Sequence, residues 1–354
     1  MTTIRTSMVL FTATASLVVS LLLTSCSVEK KPELHLYNWA DYVDESVLRE
    51  FEDKYQCRVI LDFFDSNESM YAKIKAGASG YDVLFPSSYQ AAIMQEEGLL
   101  MALDLAQIPN TANVDASYLA TGAIDQQMHY SVPYMTGTTG IGYSAAALPE
   151  LPSSWSVFLM PEVKNRATLL NDMRETLGAA LKYLGYSLNS IDESEIAEAA
   201  EVVKQWKANI AKFENEQYKP GIASGEFLLV HGYSGDISQV MEENEAAEIT
   251  YMLPQEGFGI WCDDMVIPAD APNPELAHAF INFMLEADIS ARNMEFCYYK
   301  APNTAAYELI SAELREDETV FVPDELMQKA EVIRPLGEHT QLFTRYWDLV
   351  KAAP

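Results

Sequence analysis

A chain of 354 residues with 52 acidic against 23 basic side chains carries a net charge of −29, which repels nucleic acid and anionic headgroups and attracts cations. Hydrophobic residues at 49% and charged residues at 21% describe an ordinary globular composition and exclude a low-complexity or disordered chain. The length exceeds what one hydrophobic core comfortably fills, so two lobes with a cleft between them are expected.

In chain order, residues 1–25 contain one charge, Arg5, then an apolar run from Met8 to Leu23 followed by the small residues Thr24 and Ser25. This is the layout of a secretory signal, and the run is shorter than the roughly 20 apolar residues that span a bilayer. Leu23-Thr24-Ser25-Cys26 resembles the bacterial lipobox. Cys26 is therefore the expected lipidation site, in preference to ordinary cleavage that leaves it a bystander thiol, and several acyl chains on it would anchor the protein to a membrane.

After a short polar tether, residues 34–37 read as a strand, and Asp44 is placed to cap a helix that buries Val47, Leu48, Phe51 and Tyr55. Residues 59–64 read as the next strand, a helix after Ser66 uses Met70 and Ile74, and residues 82–85 form a third strand. This alternation predicts βαβ units in a mainly parallel sheet, whose ligands sit at the carboxyl ends of the strands. Residues 132–143 are β-rich but interrupted by Gly137, Gly140 and Gly142, which suits a crossing between lobes. Farther on, Ile196, Ala199, Val203 and Ile210 line one helix face, and Asn273-Pro274 provides an N-cap and first-turn pair for a helix that buries Leu276, Phe280, Phe283 and Met284.

Several motifs carry no chemistry. The glycines of Gly137-Thr138-Thr139-Gly140-Ile141-Gly142 lack the spacing of a dinucleotide loop, and those around Ser234 in His231-Gly232-Tyr233-Ser234-Gly235 do not make a nucleophile elbow. The five histidines have no metal-ligand spacing, and His278 lies opposite the apolar face of its helix, where solvation is expected. Cys57, Cys262 and Cys297 include no C-x-x-C pair; they read equally well as a Cys262–Cys297 disulfide or as buried free thiols. No metal and no cofactor are expected.

Three segments set aromatic rings beside carboxylates: Trp39-Ala40-Asp41-Tyr42, Asp172 to Glu175, and Trp261-Cys262-Asp263. Any one alone reads as a packed ring next to a surface acid, but together, in a strongly acidic exported chain, they point to a cation site. At these segments, and at Tyr37-Asn38-Trp39, Ser66 to Lys73, Pro86-Ser87-Ser88-Tyr89, Pro133-Tyr134, Leu184 to Ser187, Gly259 to Pro268 and Ala301-Pro302-Asn303, the sequence resembles the periplasmic spermidine/putrescine-binding proteins of ABC importers. The matching stretches follow the family's order across nearly the whole chain after Cys26.

The resemblance implies a two-lobed α/β periplasmic binding protein fold of type II with the ligand in the interlobe cleft. The lobes are expected at 33–138 plus 260–305 and at 139–259 plus 306–354, joined by two or three crossing segments. It further implies a monomeric, non-enzymatic protein of the periplasm or cell envelope that hands a polyamine to a membrane permease. Carried over, it puts Trp39, Asp41 and Tyr42 at the first strand's end, Ser87 and Tyr89 in the next loop, Asp172 and Glu175 on the other lobe, and His231, Trp261, Asp263 and Tyr299 in the pocket. Asp41 stands where many members have Glu, His231 where a tryptophan is usual, and Gln341 is the candidate for a contact near the C-terminus.

The chemistry of the ligand gives these residue types a reason. A buried ammonium is prohibitively costly without a partner, so carboxylates must meet each one, and charge-assisted hydrogen bonds are about twice as strong as neutral ones. Asp172 and Glu175, three apart and able to face one pocket from a helical turn, suit one end of the ligand, Asp263 an internal or far amine, with Asp41 in support. Trp39, Tyr89, Trp261 and Tyr299 would wall the methylenes by area burial and cation–π attraction. Spermidine is slightly favoured over putrescine. The rival expectations are another cationic solute or a metal ion on the same acids, and a lipid-anchored hydrolase.

Overall fold

The computed structural model describes residues 31–354. The expected signal segment and Cys26 lie outside the described residues. Among the described residues, no helix is long and apolar enough to cross a membrane.

The first three strands form as their alternation suggests. Strands β1 (Glu33–Asn38), β2 (Arg58–Phe63) and β3 (Val83–Leu84) are parallel, with β1 in the middle. The carboxylate of Asp44 accepts from Ser46 N and starts helix Glu45–Tyr55, which buries Val47, Leu48 and Phe51. The hydroxyl of Ser66 accepts from Ser69 N and starts helix Asn67–Lys75, which buries Met70 and Ile74. Side chains alternate across β1, so Leu34 and Leu36 enter one core while Tyr37 enters another on the opposite face. Helices therefore cover both faces, as a parallel sheet requires.

The remaining strands are β4 (Ser131–Ser144), β5 (Ala167–Leu169), β6 (Lys212–Phe213), β7 (Leu229–Tyr233), β8 (Ile249–Met252), β9 (Phe258–Val266) and β10 (Ala330–Val332). The hydrogen-bonded order is β2-β1-β3-β9-β4-β7-β5-β6, with β8 on β4 and β10 on β9. The flanks of this order are parallel, but its centre is not, because β9 runs antiparallel to both β3 and β4, and β4 antiparallel to β7. A mainly parallel sheet thus holds for each flank only. The central pair consists of long strands passing between the lobes in opposite directions, and strand direction there is decided by partners far away in sequence.

The 14 residues of β4 perform the expected crossing: the segment from Val132 pairs with β9, and Thr139 to Tyr143 pair with β7. The register slips between Pro133 and Met135, where proline has no N–H to contribute to the ladder. On one side of the crossing, Phe51, Val83, Tyr134, Phe280 and Phe283 share a core; on the other, Trp155, Leu177, Val203, Trp206 and Phe343 share another. Ala306, Ile310, Leu314 and Val320 pack into the first core, so the segment just after 305, expected in the second lobe, sits with the first; Leu336, Phe343 and Val350 belong to the second.

Local readings fail at a few places. Ile210 is buried but lies beyond helix Glu193–Lys207. Asn273 and Pro274 do start helix Pro274–Met284, but the Asn273 side chain makes no capping bond; its amide donates to Glu33 O, tying the helix to β1. His278 is buried rather than solvated, since its Nε2 accepts from Asp104 N at 3.0 Å and Nδ1 lies 2.6 Å from Pro274 O. Of the two readings open for the cysteines, burial without a Cys262–Cys297 disulfide is the one found among the described residues.

Candidate functional site

The carboxyl ends of β1, β3, β5 and β7 open onto one cavity. Trp39, Tyr42, Ser87 and Tyr89 line it from the first lobe, Asp172, Arg174, Glu175 and Tyr233 from the second, and Trp261, Asp263 and Tyr299 from β9 and the segment after the helix ending at Cys297.

Each acid is held by a local rule. Asp172 caps helix Met173–Tyr183, its Oδ1 accepting from Arg174 N at 2.8 Å and Glu175 N at 3.0 Å, so the charge sits where a helix dipole favours it. Glu175 follows in the first turn on the same face, and Gly259 of β9 leaves room for it, since a Cβ there would lie 3.1 Å from Glu175 Oε2. Asp263 lies two residues from Trp261 on β9 and so shares its strand face, from which both line the cavity. Its Oδ1 accepts from Ser87 Oγ at 2.7 Å, and Ser87 is fixed by Asn67, which accepts from Ser87 N and donates to Ser87 Oγ, both at 3.0 Å.

The rings form a wall behind these acids. Trp261 stands edge-on to Tyr299 at 4.9 Å and to Tyr233 at 5.7 Å, and Tyr299 stands edge-on to Tyr42 at 5.6 Å. Trp39 donates its indole N–H to Phe85 O at 2.8 Å and leans on Phe64. The fit requires Gly137 of β4 behind the wall, where a Cβ would lie 2.6 Å from Trp261 Cζ2 and 2.9 Å from Tyr299 Cδ1.

The electrostatics are those of a site built for a cation. Burial, reinforced by the like charge of Asp172, pushes Glu175 up to about 8. Burial pushes Asp263 up to about 7 despite the Ser87 hydroxyl, and it raises Asp172 as well. The buried hydroxyl of Tyr89 and indole N–H of Trp261 have no partner among the described residues. Arg174 does not neutralise the acids by direct pairing: it donates to Arg334 O and Asn189 Oδ1, both at 2.9 Å, with its guanidinium over the rings of Tyr89 and Phe343. Among the described residues, no group of three or more His, Cys, Asp or Glu side chains has the geometry of a metal site.

The 277 residues from 46 to 322 match the family model for bacterial extracellular solute-binding proteins. This chain belongs to the bacterial extracellular solute-binding proteins. A putrescine/cadaverine-binding protein of Pseudomonas aeruginosa is 32% identical over 347 residues, covering 95% of this chain and 98% of that one. A spermidine/putrescine-binding periplasmic protein of Salmonella typhimurium is 34% identical over 321 residues, covering 90% of this chain and 91% of that one. Among solved structures, the TpPotD lipoprotein of Treponema pallidum superposes with a TM-score of 0.80 at 34% identity over 90% of this chain and 99% of that one. The solute-binding fold is two-lobed, and the cavity described here occupies its cleft.

Of the eleven residues expected in this solute-binding site, nine line the cavity and two do not. Asp41 has a φ of 52°, which turns its side chain away from those of Trp39 and Tyr42; its carboxylate is exposed and pairs with Lys219 at 3.1 Å. His231 is buried in the second lobe, edge-on to Trp155 at 5.1 Å, and burial pushes its imidazole down to about 3. The ring that β7 presents to the cavity is Tyr233, two residues on and at the strand's end. Gln341 is exposed, and Ile333, next to β10, is the C-terminal residue at the cavity. Asn67, Arg174, Lys219 and Asp236 also line it and were not anticipated. Asn67 follows the Ser66 cap closely enough to have been noticed, whereas Lys219 sits in a short helix with no motif around it.

Proposed function

We propose that this protein is the substrate-binding component of a polyamine ABC importer, taking a linear amine with its ammonium groups on Asp172, Glu175 and Asp263 and its methylenes between Trp39, Tyr89, Tyr233, Trp261 and Tyr299. The observation that carries this reading is the meeting of three buried carboxylates and six aromatic rings at one cleft. A hard metal ion would make use of the oxygens but not of the rings. Relatives bearing the names putrescine/cadaverine-binding and spermidine/putrescine-binding protein support the same class of ligand.

In this reading the protein binds and releases its ligand unchanged, acts as a monomer, and delivers the ligand to a membrane permease. Closure of the lobes excludes water and strengthens each ion pair. The lobes are taken as 33–138 plus 260–321 and 139–259 plus 322–354, since Val320 and Phe321 pack with the first core and Val322, Leu326 and Ala330 with the second. Acylation at Cys26 would hold the protein at the membrane facing the periplasm, as befits a relative of a Treponema pallidum lipoprotein.

Calorimetry on the full chain in nonionic detergent tests the function. Putrescine, cadaverine or spermidine is expected to bind with micromolar or better affinity and to raise the melting temperature, and Asp263→Asn to weaken binding at least about tenfold, or ~1.4 kcal/mol. Absence of binding by all three amines refutes the proposal.

A further inference from the structure

The cleft contains a cation of the protein's own. Lys219 lines the cavity from helix Tyr218–Ala223, its side chain only 15% exposed, with Nζ 3.1 Å from Asp41 Oδ2. Besides Asp41, the charges acting on it are those of Asp236 and Glu216. Asp236 is fully engaged, accepting from Tyr299 at 3.0 Å on one oxygen and from Tyr218 on the other. This acidic group is distinct from the one around Glu175, whose charged neighbours are Asp172, Arg174 and Asp263. The cleft therefore has two anionic regions, and an ammonium on a lysine tether already serves one of them.

We propose that Lys219 is a specificity-determining residue whose ammonium takes the cation position beside Asp41 and Asp236, limiting the ligand to two ammonium groups and favouring a diamine over a triamine. This rests on the polyamine reading above and reverses the preference for spermidine expected from sequence. The placement supports it: Lys219 lines the same cavity as Asp172, Glu175 and Asp263 but engages Asp41 and the charges of Asp236 and Glu216, so one cation position of the cleft is filled by the protein itself. A third ammonium reaching the region of Asp41 and Asp236 would meet that of Lys219, where like charges repel in a partly desolvated space.

The test is calorimetric titration of the full chain in nonionic detergent with putrescine, cadaverine and spermidine, for the native protein, Lys219→Met and Lys219→Gln. The native protein is expected to bind one of the diamines at least about tenfold more tightly than spermidine, and that ratio to fall at least about tenfold in both variants. Thermal melts identify a variant that fails to fold, in which case the other decides. Equal affinity of the native protein for diamine and triamine, or an unchanged ratio in the folded variants, overturns the role of Lys219 and leaves polyamine binding intact. If native protein and variants bind none of the three amines, both proposals fail.

Discussion

Ser87 Oγ donates to Asp263 Oδ1 at 2.7 Å across 176 residues of sequence, joining the loop after β3 to the strand β9 that crosses the cleft. The bond stabilises the ionised carboxylate against the burial that pushes it up to about 7. Hydrogen bonds to charged groups contribute about 1.5–3 kcal/mol. Ser87→Ala should therefore weaken amine binding about tenfold near pH 6.5, because more of Asp263 is then protonated, and the deficit should shrink above pH 8 as the acid ionises regardless. Titrations of the variant at both pH values check this; a loss of equal size at each would show that Ser87 acts otherwise than through the charge of Asp263.

Glu175 and Asp263 make the whole site proton-linked. Their folded values, about 8 and about 7, lie above those of an unfolded chain, so the folded protein holds extra protons and gains stability from them at low pH. That contribution is complete below the ordinary carboxylate range and is lost as pH rises through 7 and 8. A bound ammonium favours the ionised forms, and alkylammonium groups stay charged to about pH 9. Affinity should rise at least about tenfold from pH 6 to pH 8, binding at pH 7 should release protons, and the melting-temperature gain from saturating ligand should grow over the same interval. Calorimetry at pH 7 in buffers of different ionisation enthalpy measures the proton release, and identical apparent enthalpies would contradict it.

How much of this was legible in the sequence follows from how local each cause is. The caps at Asp44 and Ser66 and the alternation in β1 act within a few residues, so the first two helices and three strands could be read directly. Asp172 and Glu175 were legible for the same reason, since a spacing of three puts both on one helical face. The antiparallel centre of the sheet was not, because the direction of β4 and β9 is set by partners more than a hundred residues away. Asp41 stands apart from the cavity because it lies in a turn beyond β1 with left-handed backbone, where no strand or helix period says which way a side chain points. At β7, His231 and Tyr233 share a strand face, and alternation alone does not say that Tyr233, at the strand's end, is the one that lines the cavity.

Gly137→Ala tests the packing behind the rings. The added methyl would press on Trp261 and Tyr299 from β4, where the backbone pairs with β9 at Trp261 and is bridged to Lys300 through Thr136, leaving little freedom to retreat. Overpacking of this kind costs about 1–3 kcal/mol. The variant should melt a few degrees lower and bind the amine more weakly, because the same two rings that absorb the strain form the ligand wall. Unchanged melting with weakened binding would place the strain in the cleft alone and not in the fold.

His231→Phe separates the position expected from family resemblance from the one the fold provides. The imidazole lies edge-on to Trp155 and near Phe158, and neither ring nitrogen has a partner among the described residues. Burying polar atoms unpaired costs about 1–3 kcal/mol by protein mutational measures, so a phenyl ring of similar shape should raise the melting temperature. The pH dependence has a definite sign. Burial pushes His231 down to about 3, below its ordinary value, so the unfolded chain takes up a proton that the folded one refuses, and stability is lost as pH falls from about 6.5 toward 3. In the phenylalanine variant that part of the acid sensitivity should vanish, while amine affinity at pH 7.5 stays within about twofold because the side chain lies outside the cleft. A loss of affinity beyond tenfold would return residue 231 to the binding site and remove Tyr233 from its role there.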